Sequence, residues 1–152
     1  MKLICRRATP IQAAPAAVWA VITDIKNAAQ HLSAVKDIEV LEPADDDSLV
    51  GLKWRETREW MGRDAVEVMW VTEAEVAVYY ETRAESHGCI YRSRLQLTPG
   101  PSATELSMAF YCQPQSRAAR LMWLLSGWMA KTSLRKVIDQ DLQDIKSTVE
   151  RA

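Results

Sequence analysis

The feature that most constrains the fold is a series of turn signals at nearly equal spacing in the middle of the chain. They centre on Gly62, Ala74, His87 and Gly100, which lie 12, 13 and 13 residues apart. β-Branched and aromatic residues dominate the segments between them. Short turns at even spacing are typical of an antiparallel meander, in which each strand pairs with the next. The pattern predicts five consecutive strands, over residues 50–60, 64–73, 76–85, 88–98 and 103–113.

Before this meander the sequence predicts a strand, two short helices and a second strand. After the meander it predicts one long helix. The apolar residues of 2–12 predict a first strand, and Pro15 begins a helix because proline is favoured in the first helical turn. A second short helix is predicted over 27–32, and the next strand ends at Pro43. Ser116 is a candidate N-cap for the long helix. The order predicts an α+β fold in which this helix covers the apolar face of a sheet of about seven strands.

Length and composition favour a single domain, predicted here to span residues 1–152. The chain has 152 residues, of which 48% are hydrophobic, so it can build a core without disulfides or structural metals. Its 19 basic and 20 acidic residues give a net charge of −1, which argues against nucleic-acid binding. The apolar stretch 121–130 is half as long as a spanning helix, and no export signal is visible. We therefore expect a cytoplasmic protein.

Metal and cofactor motifs are lacking in the sequence. The three cysteines, Cys5, Cys89 and Cys112, are widely separated and have no partners at metal-site spacing. The glycines are isolated, so no phosphate-binding loop is predicted. The acidic run 45–47 lacks the spaced ligands of a calcium loop and is predicted to be a solvated turn. We expect neither a metal nor a cofactor.

One predicted strand carries charges on its apolar face. Side chains alternate between the two faces of a strand, so Trp54, Glu56, Arg58 and Trp60 share one face of 50–60. Buried charges are costly unless they are paired. The glutamate and arginine therefore have three interpretations: an ion pair at the sheet edge, a pair that orients a polar group of a ligand, or an acid–base pair.

Alternation in the last two predicted strands adds hydroxyl and apolar side chains to the same inner face. Pockets for small molecules are mostly apolar with a few polar groups, although the same residues could simply fill a core. Strands 64–73 and 76–85 are apolar on both sides, which leaves the faces of Glu67, Trp70 and Tyr80 open. The inward residues of the last two strands are predicted to include Tyr91, Ser93, Met108 and Phe110.

The predicted long helix is apolar on two sides. At 100° per residue, a continuous stripe begins with Trp123, Gly127, Ala130 and Leu134 and is expected to face the sheet, where the small residues leave room. The opposite side of 118–130 is apolar as well. Either the helix breaks at Gly127, or its outer side contacts a second copy of the chain or a membrane surface, through Leu121, Leu125 and Trp128.

Several segments resemble a known superfamily. Residues 11–25, IQAAPAAVWAVITDI, resemble its opening strand-to-helix segment, and 31–41 resemble its next short helix and second strand. Val50-Gly51 at a strand start and Val71-Thr72-Glu73 at a strand end are similar too. On these segments the chain resembles the START/Bet v 1-like (SRPBCC) superfamily, and in particular its bacterial polyketide cyclase/dehydrase-like members.

The resemblance implies a helix-grip fold, in which a curved antiparallel sheet wraps around a long C-terminal helix. It implies binding of a small hydrophobic or amphipathic ligand, such as a lipid, quinone or polyketide, in an internal cavity. A cyclase, aromatase or dehydratase acting in that cavity is the alternative, and an interaction module that uses 118–130 is a second one. The motifs that carry the resemblance are structural, so they do not name a reaction.

Together these patterns predict a cavity between the inner face of the sheet and the helix. Its predicted ligand contacts are Trp54, Glu56, Arg58, Trp60, Tyr91, Ser93, Met108, Phe110, Trp123 and Leu134.

Overall fold

A computed structural model describes residues 1–45 and 48–152, in which seven strands form one antiparallel sheet. Helix α1 (Pro15–Ile22) and a 3₁₀ helix (Ile25–Gln30) follow the first strand, and helix α2 (Arg117–Arg151) follows the last. The predicted α+β arrangement is therefore confirmed. The strands are β1 (Lys2–Ile11), β2 (Val35–Glu42), β3 (Lys53–Trp60), β4 (Arg63–Glu75), β5 (Tyr79–Ser86), β6 (Cys89–Pro99) and β7 (Thr104–Pro114), in the spatial order β1-β7-β6-β5-β4-β3-β2.

Two of the predicted turns are two-residue hairpin loops. Met61 and Gly62 join β3 to β4 with φ angles of 52° and 78°, and His87 and Gly88 join β5 to β6 with φ angles of 51° and 72°. Two consecutive positive φ values are characteristic of the type I′ turn, whose twist matches that of the flanking strands. Glycine at the second position avoids the steric cost of a side chain there, which is why these dipeptides predicted turns correctly.

The turn predicted at 73–75 is wrong by about three residues. Strand β4 continues to Glu75, and the turn occupies 76–78, where the Val78 N–H donates to the Glu75 carbonyl at 2.9 Å. A β-bulge at Thr72 shifts the register of β4 against β5, because a bulge inserts one extra residue into a strand. Residues 73–75 therefore belong to β4 and pair with β5, and they do not form the turn. Strand β3 also begins later than predicted, at Lys53.

Helix α2 is continuous through Gly127, so a break at that glycine is wrong. The Ser116 hydroxyl accepts a hydrogen bond from the Ala119 N–H at 3.1 Å, which confirms the predicted N-cap. Helix α2 packs against β1, β7 and α1, and its C-terminal half enters the main core. Four buried residues of α2 belong to the main core together with Leu106 of β7. They are Ile138, Leu142, Ile145 and Val149.

A second, smaller buried cluster lies where α2 begins. Cys89, Cys112 and Ala119 form it, and Tyr91 and Trp123 pack against it. Of the acidic turn predicted at 45–47, residues 46 and 47 lie outside the described part of the chain. Within the described ranges, no helix is both long enough and apolar enough to cross a membrane.

Candidate ligand-binding site

The inner face of β3 carries the four residues that alternation assigned to it. Trp54 is only 3% exposed and belongs to the main core. Glu56, Arg58 and Trp60 follow on the same face at every second residue and are half-buried. The charged pair therefore lies on the face that looks toward α2, and the outer positions Arg55 and Glu59 are exposed.

The register of the sheet assigns the residues of β4 and β5 that sequence alternation left open. Glu67 pairs with Glu56 across β3 and β4, so it lies on the inner face. Trp70 pairs with Lys53 on the outer face, where the ammonium lies 5.8 Å from the ring centroid. Tyr80 is buried in the core, and its hydroxyl donates to the Ile22 carbonyl at 3.0 Å.

The charged pair on β3 is completed by a residue of α2. Arg58 donates from Nε to Glu56 Oε2 at 2.9 Å and from Nη2 to Asp141 Oδ2 at 3.1 Å. The three side chains are between 8% and 17% exposed. We call Glu56, Arg58 and Asp141 the buried triad. It links the inner face of the sheet to α2 by charge-assisted hydrogen bonds, which are stronger than neutral ones.

Asp141 was missed by the sequence analysis. It lies three residues after Ile138 and four before Ile145, both of them in the apolar stripe of α2 and both buried. Residues three and four apart share one side of a helix. A carboxylate inside an apolar stripe was therefore the available signal, since a charge at such a position needs a partner on the facing element.

The surroundings of the triad shift its proton affinities. Burial raises the pKa of Asp141 from 3.8 to about 6, with Glu56 and Asp144 adding to the rise and Arg58 opposing it. Burial disfavours the charge of Arg58, but Asp141 and Glu56 outweigh it and raise the pKa of the guanidinium. Asp141 therefore exchanges its proton at a pH closer to neutral than an ordinary carboxyl does.

Stability should depend on pH through Asp141. A carboxyl whose pKa is raised in the folded state binds more protons folded than unfolded, so its contribution becomes less favourable as pH rises between 3.8 and about 6. We expect Asp141→Asn to gain stability relative to the wild type over this range, on the order of 2 kcal/mol. Urea unfolding of both proteins at several pH values measures the difference. A difference that does not change with pH would contradict the shifted pKa.

Two polar atoms near the inner face have no hydrogen-bond partner among the described residues. They are Nε1 of Trp54 and Oδ1 of Asp141, a donor and an acceptor. Both residues are at least nine-tenths buried. A buried polar atom without a partner costs about 1–3 kcal/mol, so each can gain from a group that supplies the missing hydrogen bond.

The remaining predicted contacts come from the inner faces of β6 and β7 and from the facing side of α2. The Tyr91 and Phe110 rings stack with centroids 5.6 Å apart, and burial, together with Cys89, raises the pKa of Tyr91, so its hydroxyl stays protonated. The Ser93 hydroxyl bonds to that of Thr82 on β5. Met108 and Leu134 are half-buried and pack against the main core.

Trp123 lies at one end of the predicted site, against the small cluster that Tyr91 also contacts. Its indole N–H points to Cys89 Sγ at 3.3 Å. It also lines an open groove of about 500 Å³ between β1 and the first half of α2, which none of the other nine predicted residues lines. The structure thus brings Glu56 and Arg58 together, and Tyr91 and Phe110 together, while Trp123 faces the groove.

Comparison with solved structures identifies the architecture. A START superfamily protein from Mycobacterium smegmatis is 15% identical, with a TM-score of 0.79 and 97% of each chain covered. The Zhui aromatase/cyclase from Streptomyces sp. R1128 is 13% identical, with a TM-score of 0.73 over 97% of this chain and 93% of that chain. A protein from Thermus thermophilus is 14% identical, with a TM-score of 0.77 over 95% and 94% of the two chains. These similarities show the helix-grip fold, in which a curved antiparallel sheet wraps around a long C-terminal helix.

Comparison of the amino-acid sequence gives one result for curated proteins and another for protein families. No curated protein matches the chain. A family model described as polyketide cyclase/dehydrase and lipid transport, however, matches residues 5–150, nearly the whole length. The match agrees with the seven-stranded sheet and the long second helix. The chain therefore belongs to the polyketide cyclase/dehydrase and lipid transport family.

Proposed function

We propose that this protein binds a small, largely apolar molecule with a neutral polar head between the inner face of the sheet and α2. The family includes cyclases and lipid carriers, which share the need to hold an apolar compound. The proposed contacts are those of the sequence prediction together with Asp141. They are Trp54, Glu56, Arg58, Trp60, Tyr91, Ser93, Met108, Phe110, Trp123, Leu134 and Asp141.

Incomplete burial on the inner face supports this location. Trp60, Tyr91 and Phe110 lie on the face toward α2, yet all three are only half-buried. Side chains in a closed core are packed at crystal-like density. Half-buried aromatic rings on the concave face leave apolar surface for a ligand to cover, at about 25 cal/mol for each Å² removed from water.

The chemistry of the buried triad indicates the kind of head group. The triad has two carboxylates and one guanidinium, so it carries a net negative charge when Asp141 is ionised. A second anion would meet like charge in a place with little water. A hydroxyl can instead donate to Asp141 Oδ1, which has no partner in the part of the chain that the structure describes. This unpartnered buried oxygen is the observation that carries the proposal, and it favours phenols, alcohols and enols over carboxylates.

A matched pair of aromatic probes tests the proposal. We expect naphthol to raise the melting temperature more than naphthoate does, because only the anion is repelled by the triad. At 100 times its dissociation constant a ligand adds about 2.7 kcal/mol, which is roughly 5–10 °C for a domain of this size. Thermal unfolding with each probe measures this. If naphthoate stabilises the wild-type protein more than naphthol does, the neutral head is wrong.

Two aspartate variants of α2 make this test specific. Asp141→Asn removes one negative charge from the triad and should bring the response to naphthoate closer to the response to naphthol. Asp139→Asn is the control, since Asp139 is exposed and pairs with Arg7 at 2.7 Å. It should leave the preference unchanged.

Catalysis of cyclisation or dehydration is the second candidate function. Asp141 has a pKa of about 6, which is close to the value that suits proton transfer near neutral pH. The raised pKa of Tyr91 keeps its hydroxyl protonated, so this side chain can donate a hydrogen bond to the bound molecule but does not serve as a base. If the bound molecule is also turned over, Asp141→Asn should abolish turnover and retain binding, whereas a carrier shows no turnover in either protein.

A further inference from the structure

The first half of α2 presents a large apolar surface that faces away from the sheet. Six side chains on it are between 46% and 82% exposed, the most exposed being Leu124. The opposite side of the same segment contains Ala119, Trp123 and Gly127, which are buried or half-buried. We call the exposed set the helix patch, and it consists of Leu121, Met122, Leu124, Leu125, Trp128 and Met129.

The charged residues that flank the helix patch along the sequence are all of one sign. Residues 106–138 contain five lysines and arginines and no acidic residue, although acidic residues outnumber basic ones, 20 to 19, in the whole chain. Four of the cations fall within a sector of about 60° on the helix, along one flank of the patch. These four are Arg117, Arg120, Lys131 and Arg135.

The apolar surface continues from the helix onto β1. The groove of about 500 Å³ between these elements is lined by Leu3, Leu124 and Trp128, with the cations Lys2, Arg120 and Lys131 around them. Leu3 is 48% exposed and Met1 is 49% exposed. Strand β1 is at the edge of the sheet, so the apolar area extends past the helix itself.

We propose that the helix patch docks on an anionic phospholipid surface, with its apolar side chains in the interface and the flanking cations at the lipid headgroups. An exposed helix face rich in leucine and tryptophan and bordered by lysine and arginine is the arrangement that lies in a membrane interface. Each cation near an anionic surface adds about fivefold to the affinity. The proposal is independent of the proposed ligand.

A second copy of the chain fits this surface less well than a lipid surface does. A two-fold dimer would bring the same patch of each copy together. The cations that border one patch would then lie near those of the other, and like charges oppose such contact. An anionic membrane neutralises the same charges, and it also accepts the tryptophan and leucine side chains.

Co-sedimentation of the purified full chain with vesicles tests the proposal. We expect binding to phosphatidylcholine vesicles that contain about one-third phosphatidylserine, and much weaker binding to phosphatidylcholine alone. Arg120→Glu removes one attractive charge and adds a repulsive one, and should weaken binding to the anionic vesicles about thirtyfold. Leu125→Glu should weaken it at least about tenfold, because it places a charge in the interface.

Two control variants separate docking from general effects of charge. Val76→Glu alters a residue that is 75% exposed in the β4–β5 turn, at the end of the sheet opposite the start of α2. Lys26→Glu reverses an exposed charge in the 3₁₀ helix. Both should bind like the wild type. Thermal unfolding should be unchanged in all four variants, since none of the altered side chains is buried.

Three results would overturn the proposal. The first is equal binding to the two kinds of vesicle, or none to either. The second is equal loss of binding in the control variants. The third is a concentration-dependent dimer, seen by sedimentation velocity without vesicles, that Leu125→Glu dissociates while vesicle binding is absent. That result would make a second copy the occupant of the helix patch.

Discussion

Arg58→Met is expected to lower the free energy of unfolding by about 3–5 kcal/mol, because removing one partner of a buried charge network leaves the others uncompensated. Without the guanidinium, Glu56 and Asp141 would face each other at 12% and 8% side-chain exposure with no cation between them. Urea unfolding near neutral pH measures the loss. The loss should shrink as pH falls toward about 6, because Asp141 without the lowering effect of Arg58 takes up its proton at a higher pH than in the wild type.

Arg55→Met on the same strand is the matched control. Arg55 pairs with Glu39 on the outer face of the sheet, where the two side chains are 44% and 58% exposed. Exposed ion pairs contribute only about 0–1 kcal/mol, so this variant should remain close to the wild type. Adding Asp141→Leu and Glu56→Met to Arg58→Met should restore much of the loss, since apolar replacement of a whole buried network is often neutral. Equal losses in Arg55→Met and Arg58→Met would refute the buried triad.

Leu142→Ala is expected to lower the free energy of unfolding by about 2–5 kcal/mol, through lost burial and the cavity left behind. Leu142 is 2% exposed and lies in the half of α2 that enters the main core. A loss of this size lowers the melting temperature by about 2–4 °C for each kcal/mol. Thermal and urea unfolding measure it.

Leu125→Ala in the same helix provides the comparison. Leu125 is 69% exposed, so its truncation should change stability by no more than about 0.5 kcal/mol. The two substitutions are chemically identical and differ only in what surrounds the side chain. A large loss for Leu125→Ala would mean that the helix patch is covered in the isolated protein.

Sequence reasoning predicted the elements that have strong local signals. The Met-Gly and His-Gly turns have the backbone angles that glycine favours. Ser116 caps α2, because its hydroxyl accepts a hydrogen bond from a backbone N–H of the first helical turn. The inner face of β3 followed from alternation, because only one of its faces is apolar. Helix α2 was predicted to have two apolar sides, with a break at Gly127 as one explanation; the helix is continuous, and its outer side is exposed over 121–129.

The parts that sequence could not predict depend on contacts between distant segments. The face of Glu67 was open because Val66, Val68 and Trp70 make the outer side of β4 apolar as well, and register alone decides between the two faces. The Arg58 contact to Asp141 joins residues 83 positions apart. The apolar stripe of α2 marks Asp141 as a buried carboxylate, but only the packing of α2 against the sheet shows that its partner is Arg58.

The pairing of the first strand with the last one affects how the chain can fold during synthesis. Lys2 pairs with Cys112 along the β1–β7 ladder, so β1 must wait until about a hundred more residues have been made, for about 5–20 s at ordinary elongation rates. Helix α2 then forms hydrogen bonds with the end of β1, since the Gln12 N–H donates to Glu150 at 2.8 Å and Lys146 donates to the Pro10 carbonyl. Closure of the sheet is therefore a late event of high contact order, which slows folding, and β1 stays without its partner strand until then.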